Sequence, residues 1–152
     1  MKSNIKIRKA VKEDLRYIFQ LDEDVFKPNN YPLFVLRQLY DILPNLFFVA
    51  VNELNQIKGY CFGAIDDNNK IGWVFALTVL KSEQNKKIGQ RLTKEVLIAF
   101  KNKSINSIQL TTTPDNTSAI NLYKKLGFKK VTEVADYYFD NTPRIIMKLE
   151  TL

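Results

Sequence analysis

The stretch Glu83–Leu92, EQNKKIGQRL, is a basic turn with a single glycine, and it follows the uncharged run Ile71–Leu80. Apolar residues then recur at helical spacing (Ile88, Leu92, Val96, Ala99), so the turn opens a helix. A helix N-terminus presents unpaired backbone N–H groups and a partial positive charge, which attract anions. We therefore predict a phosphate-ester site reinforced by Lys86, Lys87 and Arg91. A solvated helix start with surface lysines explains the same residues.

The composition indicates one soluble domain. The chain has 152 residues, of which 45% are hydrophobic and 26% charged, close to ordinary globular proportions. No apolar run is long enough to span a bilayer, and the first residues lack the apolar core of a secretory signal. One cysteine, Cys61, excludes an internal disulfide. We therefore expect a cytoplasmic protein without a membrane partner.

Charge and histidine content restrict the function classes. The net charge of +7 suits nucleic acid or a small polyphosphate, but the basic residues are scattered and nucleic-acid motifs are missing, so no nucleic-acid partner is predicted. The chain has no histidine. This removes Ser-His-Asp and Cys-His catalysis and the commonest metal ligand, and no metal is predicted.

The hydrophobic periodicity predicts alternating strands and helices without repeats or linkers. A strand at 5–7 precedes helices over 12–27 and 32–43. Three antiparallel strands follow as a meander, and the helix after the basic turn leads to a further strand. Another helix ends at Gly127, and a final hairpin closes the chain. The remaining predicted strands cover 46–51, 57–65, 70–80, 105–110, 128–139 and 143–149.

Two motifs carry a resemblance that covers essentially the whole chain. The first is the turn Gln84-Asn-Lys-Lys87-Ile-Gly89, and the second is the segment Asn116-Thr-Ser-Ala119-Ile-Asn-Leu122-Tyr123 followed by Leu126-Gly127-Phe128. In this order and separation they resemble the GNAT superfamily of acyl-CoA-dependent N-acetyltransferases. The resemblance implies an α+β, three-layer fold with a mixed, mostly antiparallel twisted sheet of about seven strands and about four helices. It implies a single domain over residues 1–152.

The resemblance also implies acetyl-CoA as co-substrate, with no metal. The end of the fourth strand, Leu77 to Val79, would diverge from the fifth strand and bind the pantetheine arm through its backbone. The turn Gln84 to Gly89 would cradle the pyrophosphate. Lys87 stands where the family usually has a glycine; we expect it to donate its N–H in ordinary helical geometry, so that Lys87→Gly is tolerated and Gly89→Trp abolishes binding. The implied cofactor residues are Leu77, Thr78, Val79, Gln84, Asn85, Lys86, Lys87, Ile88, Gly89, Gln90, Asn116 and Tyr123.

Tyr123 matches the family tyrosine that is often assigned as the general acid for the departing thiolate, although its helical spacing also suits a core residue. Asn116 suits either cofactor contact or a helix N-cap. The family's fifth-strand and fourth-strand glutamates are replaced by Thr111 and Trp73, so the general base is not identified. Water-mediated candidates are Glu23, Asp24, Glu133 and Asp136.

The acceptor site implied by the family lies between the first two helices and the last hairpin, here Tyr31, Arg37, Tyr137 and Tyr138. We place a small primary amine slightly ahead of a protein N-terminus or lysine as the acceptor. A non-catalytic acyl-CoA sensor is an alternative of another class, and a basic nucleic-acid module is a third. A homodimer is compatible with the family, and the acidic run Asp22–Asp24 could attract a cationic amine.

Overall fold

The structure, a computed structural model, describes residues 4–151 and contains one seven-stranded sheet in the order β1-β2-β3-β4-β5-β7-β6. The strands are β1 (Lys6–Lys9), β2 (Phe47–Val51), β3 (Ile57–Asp66), β4 (Ile71–Val79), β5 (Ser107–Thr112), β6 (Lys129–Val134) and β7 (Arg144–Glu150). The helices are α1 (Leu15–Phe26), α2 (Leu33–Ile42), α3 (Ile88–Asn102) and α4 (Thr117–Lys125). The predicted fold class is confirmed. The predicted absence of a secretory signal concerns the N-terminal segment, whose residues 1–3 lie outside the described residues.

The sheet separates two apolar clusters, one on each face. On one face, Leu92, Val96 and Phe100 of α3 and Tyr123 of α4 pack against the sheet. On the other face, α1 and α2 pack over β2 and β3. Every residue of β2 is buried because both faces of that strand are covered, as its unbroken apolar sequence requires. Within residues 4–151, no helix is long and apolar enough to cross a lipid bilayer.

The strands β4 and β5 pair in parallel only at their beginnings. The pairing runs from Ile71 to Trp73 on β4 and from Ser107 to Gln109 on β5. Beyond Trp73 the register of β4 against β3 also shifts at Phe62 and Gly63, which marks a bulge at Phe75. The predicted divergence of these two strands is therefore present, and it opens a gap in the middle of the sheet.

The last hairpin is shorter than predicted. The strand β6 ends at Val134, so Tyr137 and Tyr138 lie in the loop between β6 and β7. Side-chain caps bend the backbone there, since the Asp136 carboxylate accepts the N–H of Asn141 at 2.7 Å. Phe139 has a left-handed φ of 60°. These local hydrogen bonds compete with strand pairing, and they explain why a run of β-forming aromatics is not a strand.

Candidate active site

A groove of about 670 Å³ begins where β4 leaves β5. It is bounded by the end of α1, the end of β4 and the first turns of α3 and α4. Ten of the twelve predicted cofactor residues line it: Leu77, Thr78, Val79, Gln84, Asn85, Lys87, Ile88, Gly89, Gln90 and Asn116. Lys86 and Tyr123 are not on its wall. Lys86 pairs with Glu83 at 2.9 Å, and Tyr123 lies in the adjoining core.

The turn before α3 is left-handed at two non-glycine residues, Asn85 with φ 63° and Lys87 with φ 64°. The expectation of ordinary helical geometry at Lys87 is therefore wrong. The first helical bond of α3 joins the N–H of Arg91 to the carbonyl of Lys87 at 3.1 Å. The N–H groups of Ile88, Gly89 and Gln90 precede that bond, so they have no carbonyl partner within the helix. Together with the helix dipole they form a cradle for an anion on the groove wall.

Replacing Lys87 by glycine should leave acetyl-CoA binding intact and should stabilise the fold slightly. Glycine adopts a left-handed φ without the cost of about 1 kcal/mol that other L-residues incur. The backbone N–H groups of the cradle are unchanged by this substitution. Calorimetric titration with acetyl-CoA and urea denaturation measure the two quantities. A loss of affinity of tenfold or more would show that the ammonium, rather than the backbone, holds the phosphates.

Gly89 has a packing role that the sequence did not indicate. A Cβ at this position would lie 3.0 Å from Cδ1 of Leu122 and 3.4 Å from Cδ2 of Leu77. Its side-chain direction therefore points between α4 and β4, away from the anion cradle. The Gly89→Trp substitution would disrupt helix packing first, so any loss of binding in that variant does not report on phosphate contact.

The strand on the other side of the groove offers backbone groups. The N–H of Leu80 donates to the carbonyl of Lys58 at 2.8 Å, and backbone groups of an antiparallel strand alternate in direction. The N–H and C=O groups of Leu77 and Val79 therefore face the gap instead of β3. Gln84 donates its side-chain N–H to the Val79 carbonyl at 3.2 Å, which fixes the turn against the strand.

These features fit a long ligand with an amide-containing arm and a phosphate end. Leu77 and Val79 would hold the amide arm, and the N–H groups at the start of α3 would hold the pyrophosphate. The side chain of Asn116 also lies on the wall while its Oδ1 accepts the N–H of Ala119 at 3.2 Å. It is therefore a helix N-cap, and this leaves its amide nitrogen as a possible ligand contact. Among residues 4–151, no group of three acidic, cysteine or histidine side chains is arranged to hold a metal ion.

Tyr123 is a buried residue of α4, 7% exposed, and its ring packs edge-on against Phe128 at 5.7 Å. Burial, with a smaller contribution from the neighbouring Cys61, raises the pKa of the phenol well above its ordinary value. The hydroxyl is therefore protonated across the physiological pH range. The ring packs in the core, as one of the two predicted roles requires, and the acid role stays a prediction because Tyr123 does not line the groove.

A buried carboxylate that sequence reasoning did not single out holds the other side of the site together. Asp22 of α1 is 2% exposed. Its Oδ1 accepts from the Tyr60 hydroxyl at 2.8 Å and the Thr78 hydroxyl at 2.9 Å, and its Oδ2 accepts the Tyr31 N–H at 2.8 Å. It joins α1, the α1–α2 loop, β3 and β4. The expectation that it attracts a cationic amine from the surface is wrong; the available signal was an acidic residue on the apolar face of α1.

Two tyrosines flank the gap beyond the last β4–β5 pair. The Tyr31 hydroxyl donates to the carbonyl of Phe75 on β4 at 3.3 Å. The Tyr138 hydroxyl shares a hydrogen bond of 3.2 Å with the Thr111 hydroxyl on β5. Burial, and then the charges of Tyr138 and Asp22, raise the pKa of Tyr31 to about 12 against an opposing effect of Arg144. We name Tyr31, Phe75, Thr111, Tyr138 and Arg144 the acceptor cluster.

Of the other predicted acceptor residues, Tyr137 contacts this cluster and Arg37 does not, and the candidate base residues do not line the groove. Tyr137 contacts Tyr138 edge-on at 4.9 Å. Arg37 is exposed on α2 and pairs with Asp41 in its own helix at 2.9 Å, so the structure does not bring it to the cluster. The four candidate base carboxylates are not among the groove-lining residues, and two of them pair with lysines: Glu23 with Lys27 and Glu133 with Lys130.

Comparisons with known proteins agree with this geometry. The family model described as acetyltransferase (GNAT) family matches residues 12–128. The chain is 29% identical to an N-alpha-acetyltransferase of Sulfurisphaera tokodaii over 93% of this chain and 90% of that protein. It is 33% identical to a mycothiol acetyltransferase of Renibacterium salmoninarum, but over 55% of this chain and only 26% of that protein.

A solved structure shares the whole fold. A chain in the crystal structure of the NatC complex bound to Gag peptide and CoA superposes with a TM-score of 0.89 at 20% identity. The superposition covers 98% of this chain and 99% of that one. At this identity the likeness concerns the fold alone.

Proposed function

We propose that this chain, which belongs to the acetyltransferase (GNAT) family, transfers the acetyl group of acetyl-CoA to the N-terminal α-amine of a peptide. The family assignment makes it an acetyl-CoA-dependent N-acetyltransferase, and the peptide acceptor is the proposed part. Sequence reasoning placed a small primary amine ahead of a protein N-terminus. The relatives support the opposite order, since N-alpha-acetyltransferases align over nearly the full length and the mycothiol enzyme over about half.

The observation that carries the proposal is the acceptor cluster at the open end of the gap. Tyr31 comes from the α1–α2 loop and Tyr138 from the β6–β7 loop, and their hydroxyls bond to opposite strands of the gap. The adjoining residues of β4, Leu77 to Val79, line the groove. An extended peptide that enters between the two loops would therefore present its terminal amine to the end of the groove. Phenol hydroxyls are suited to a peptide backbone because they both donate and accept hydrogen bonds.

The proposed roles follow from position. Acetyl-CoA supplies an activated thioester when it is bound. A backbone N–H of Leu77 or Val79 would hold the acyl oxygen, an electrostatic contribution that acts most strongly as charge develops there. The Tyr123 hydroxyl would donate its proton to the departing thiolate, the role that the family resemblance implies for this tyrosine. The α-ammonium would lose one proton to water before it attacks, because none of the four candidate base carboxylates lines the groove. The second proton of the amine would return through water to the Tyr123 oxygen after the thiolate has been protonated.

The proposal is tested by thiol release from acetyl-CoA against a mixed panel of acceptors. The panel contains polyamines, amino acids, aminoglycosides and peptides with either a free or a blocked N-terminus. We expect turnover with free-N-terminus peptides at a kcat/KM well above that of each small amine, and none when the terminus is blocked. Efficient turnover of a small amine with no peptide activity would overturn it. Saturable acetyl-CoA binding with no turnover across the panel would favour the non-catalytic sensor.

A further inference from the structure

Arg144, the first residue of β7, is the charged member of the acceptor cluster. Its neighbours Ile145 and Met147 are buried in the α3 and α4 face, so alternation directs Arg144 and Ile146 to the opposite, acceptor face. The guanidinium carbon lies 5.0 Å from the ring centroid of Tyr138. A cation over an aromatic face is attracted by the ring, and this holds the guanidinium beside the mouth of the gap.

This guanidinium lacks the carboxylate partner that Arg8 and Arg37 have; Arg16 and Arg91 likewise form no salt bridge among residues 4–151. The Nε of Arg144 is buried and has no hydrogen-bond partner in the part of the chain that the structure describes. Arg8 and Arg37, in contrast, each lie within 3 Å of a carboxylate, Asp14 at 2.7 Å and Asp41 at 2.9 Å. Asp140, an exposed residue of the β6–β7 loop, has its pKa lowered mainly by hydrogen bonds with Thr142 and only weakly by the charge of Arg144. A buried N–H that lacks a partner is unfavourable, so the hydrogen bonds of this guanidinium are not satisfied within the described residues, and a ligand carboxylate at its terminal N–H groups would be stabilising.

We propose that Arg144 binds a carboxylate of the acceptor, so that the preferred peptide carries an acidic side chain within its first two residues. This inference rests on the proposed function, since it concerns the acceptor of that same site. The planar guanidinium suits a carboxylate because its N–H donors match the two oxygens. An extended chain advances only about 3.5 Å per residue. Arg144 lies beside the tyrosines that flank the gap, and this limits the contact to the residues next to the amine.

The same charge acts against basic acceptors. A fixed cation beside the gap repels a lysine or arginine side chain in the first two residues, so specificity has both an attractive and a repulsive part. A free amino acid offers the same chemistry through its α-carboxylate. The shared ligand chemistry is therefore an amine with a carboxylate close to it, and peptides and amino acids are separate arms of the test.

The test compares peptides that differ only in Asp, Asn or Lys at the first or second residue, together with free amino acids, for the wild type and for Arg144→Gln. We expect the wild type to favour Asp over Asn by about tenfold to hundredfold in kcat/KM, mainly through KM, as for a charged hydrogen bond. In Arg144→Gln the ratio of Asp to Asn activity should fall to about one, whatever the common loss on both peptides, and the KM for acetyl-CoA should be unchanged because Arg144 does not line the cofactor groove. The matched control is Lys148→Gln on the same face of β7, whose lysine pairs with Glu150 at 2.9 Å.

Two further variants separate a binding role from a structural one. Arg144→Lys should retain part of the Asp preference, and Arg144→Glu should reverse it in favour of Lys. Equal Asp and Asn activities in the wild type, or equal losses on both peptides in Arg144→Gln, would overturn the inference and leave peptide acetylation standing. Arg144-dependent activity on free amino acids alone would instead contradict the proposed function while the carboxylate contact holds.

Discussion

Tyr123→Phe is expected to lower kcat by about 10²- to 10⁴-fold, the usual contribution of a positioned acid or base, with acetyl-CoA affinity unchanged. The substitution keeps the ring, and therefore the edge-on contact with Phe128, and removes only the hydroxyl. Since Tyr123 does not line the groove, the hydroxyl has no large part in holding the cofactor. Steady-state thiol release gives kcat, and calorimetry gives the affinity.

The pH dependence of this variant tests whether the Tyr123 phenol stays protonated over the working pH range. Because burial raises the pKa of Tyr123, the phenol is protonated in the wild type at neutral and mildly alkaline pH. The ratio of wild-type to variant kcat should therefore be constant from about pH 6 to about pH 9. A suitable control is Tyr137→Phe, which removes a hydroxyl from the β6–β7 loop. Equal kcat for Tyr123→Phe and the wild type would remove Tyr123 from the reaction.

Asp22→Ala is expected to lower the free energy of unfolding by about 3 kcal/mol or more, the largest stability effect that we expect from a polar substitution in the site. It removes an acceptor shared by Tyr60, Thr78 and Tyr31. Since Asp22 is only 2% exposed, those donors are left without a partner in the interior. Urea denaturation followed by circular dichroism measures the change. A loss below about 1 kcal/mol would show that water or a shifted side chain replaces the carboxylate.

Asp22→Asn is the matched control because it breaks only one of the three hydrogen bonds that Asp22 accepts. The amide oxygen can still accept from Tyr60 and Thr78, but the amide nitrogen would face the Tyr31 N–H, so only the contact to the α1–α2 loop is broken. We expect a smaller loss of stability and a clear rise in KM for the peptide acceptor, with the KM for acetyl-CoA unchanged. The pair of variants thereby separates folding from loop positioning.

The sequence predicted most of the fold because local signals agreed with the tertiary arrangement. Helical spacing after the basic turn, the cap at Asn116 and the left-handed Gly127 each correspond to a feature of the structure. The divergence of β4 from β5 followed from the resemblance and not from the periodicity. The predicted hairpin strand was too long, because the aspartates in the loop form hydrogen bonds that a strand pattern does not reveal.

Two of the features that sequence reasoning missed, the roles of Asp22 and Arg144, depend on contacts between distant segments. Asp22 meets donors from residues 31, 60 and 78, and no spacing rule connects those positions. Arg144 becomes notable only because its Nε is buried beside Tyr138, which is a property of the folded chain. The left-handed φ of Lys87 could not be predicted from its residue type, since lysine rarely adopts that conformation.

Transfer of the acetyl group to the α-amine of a peptide is the proposed reaction. Its most direct test is fragmentation mass spectrometry of a peptide that carries a free N-terminus, one internal lysine and an acidic second residue, after incubation with acetyl-CoA and the wild-type chain. We expect a single acetyl group on the α-amine, formed far more slowly by Tyr123→Phe. Acetylation of the lysine alone, or of neither amine while a small amine in the same mixture is acetylated, would contradict the account.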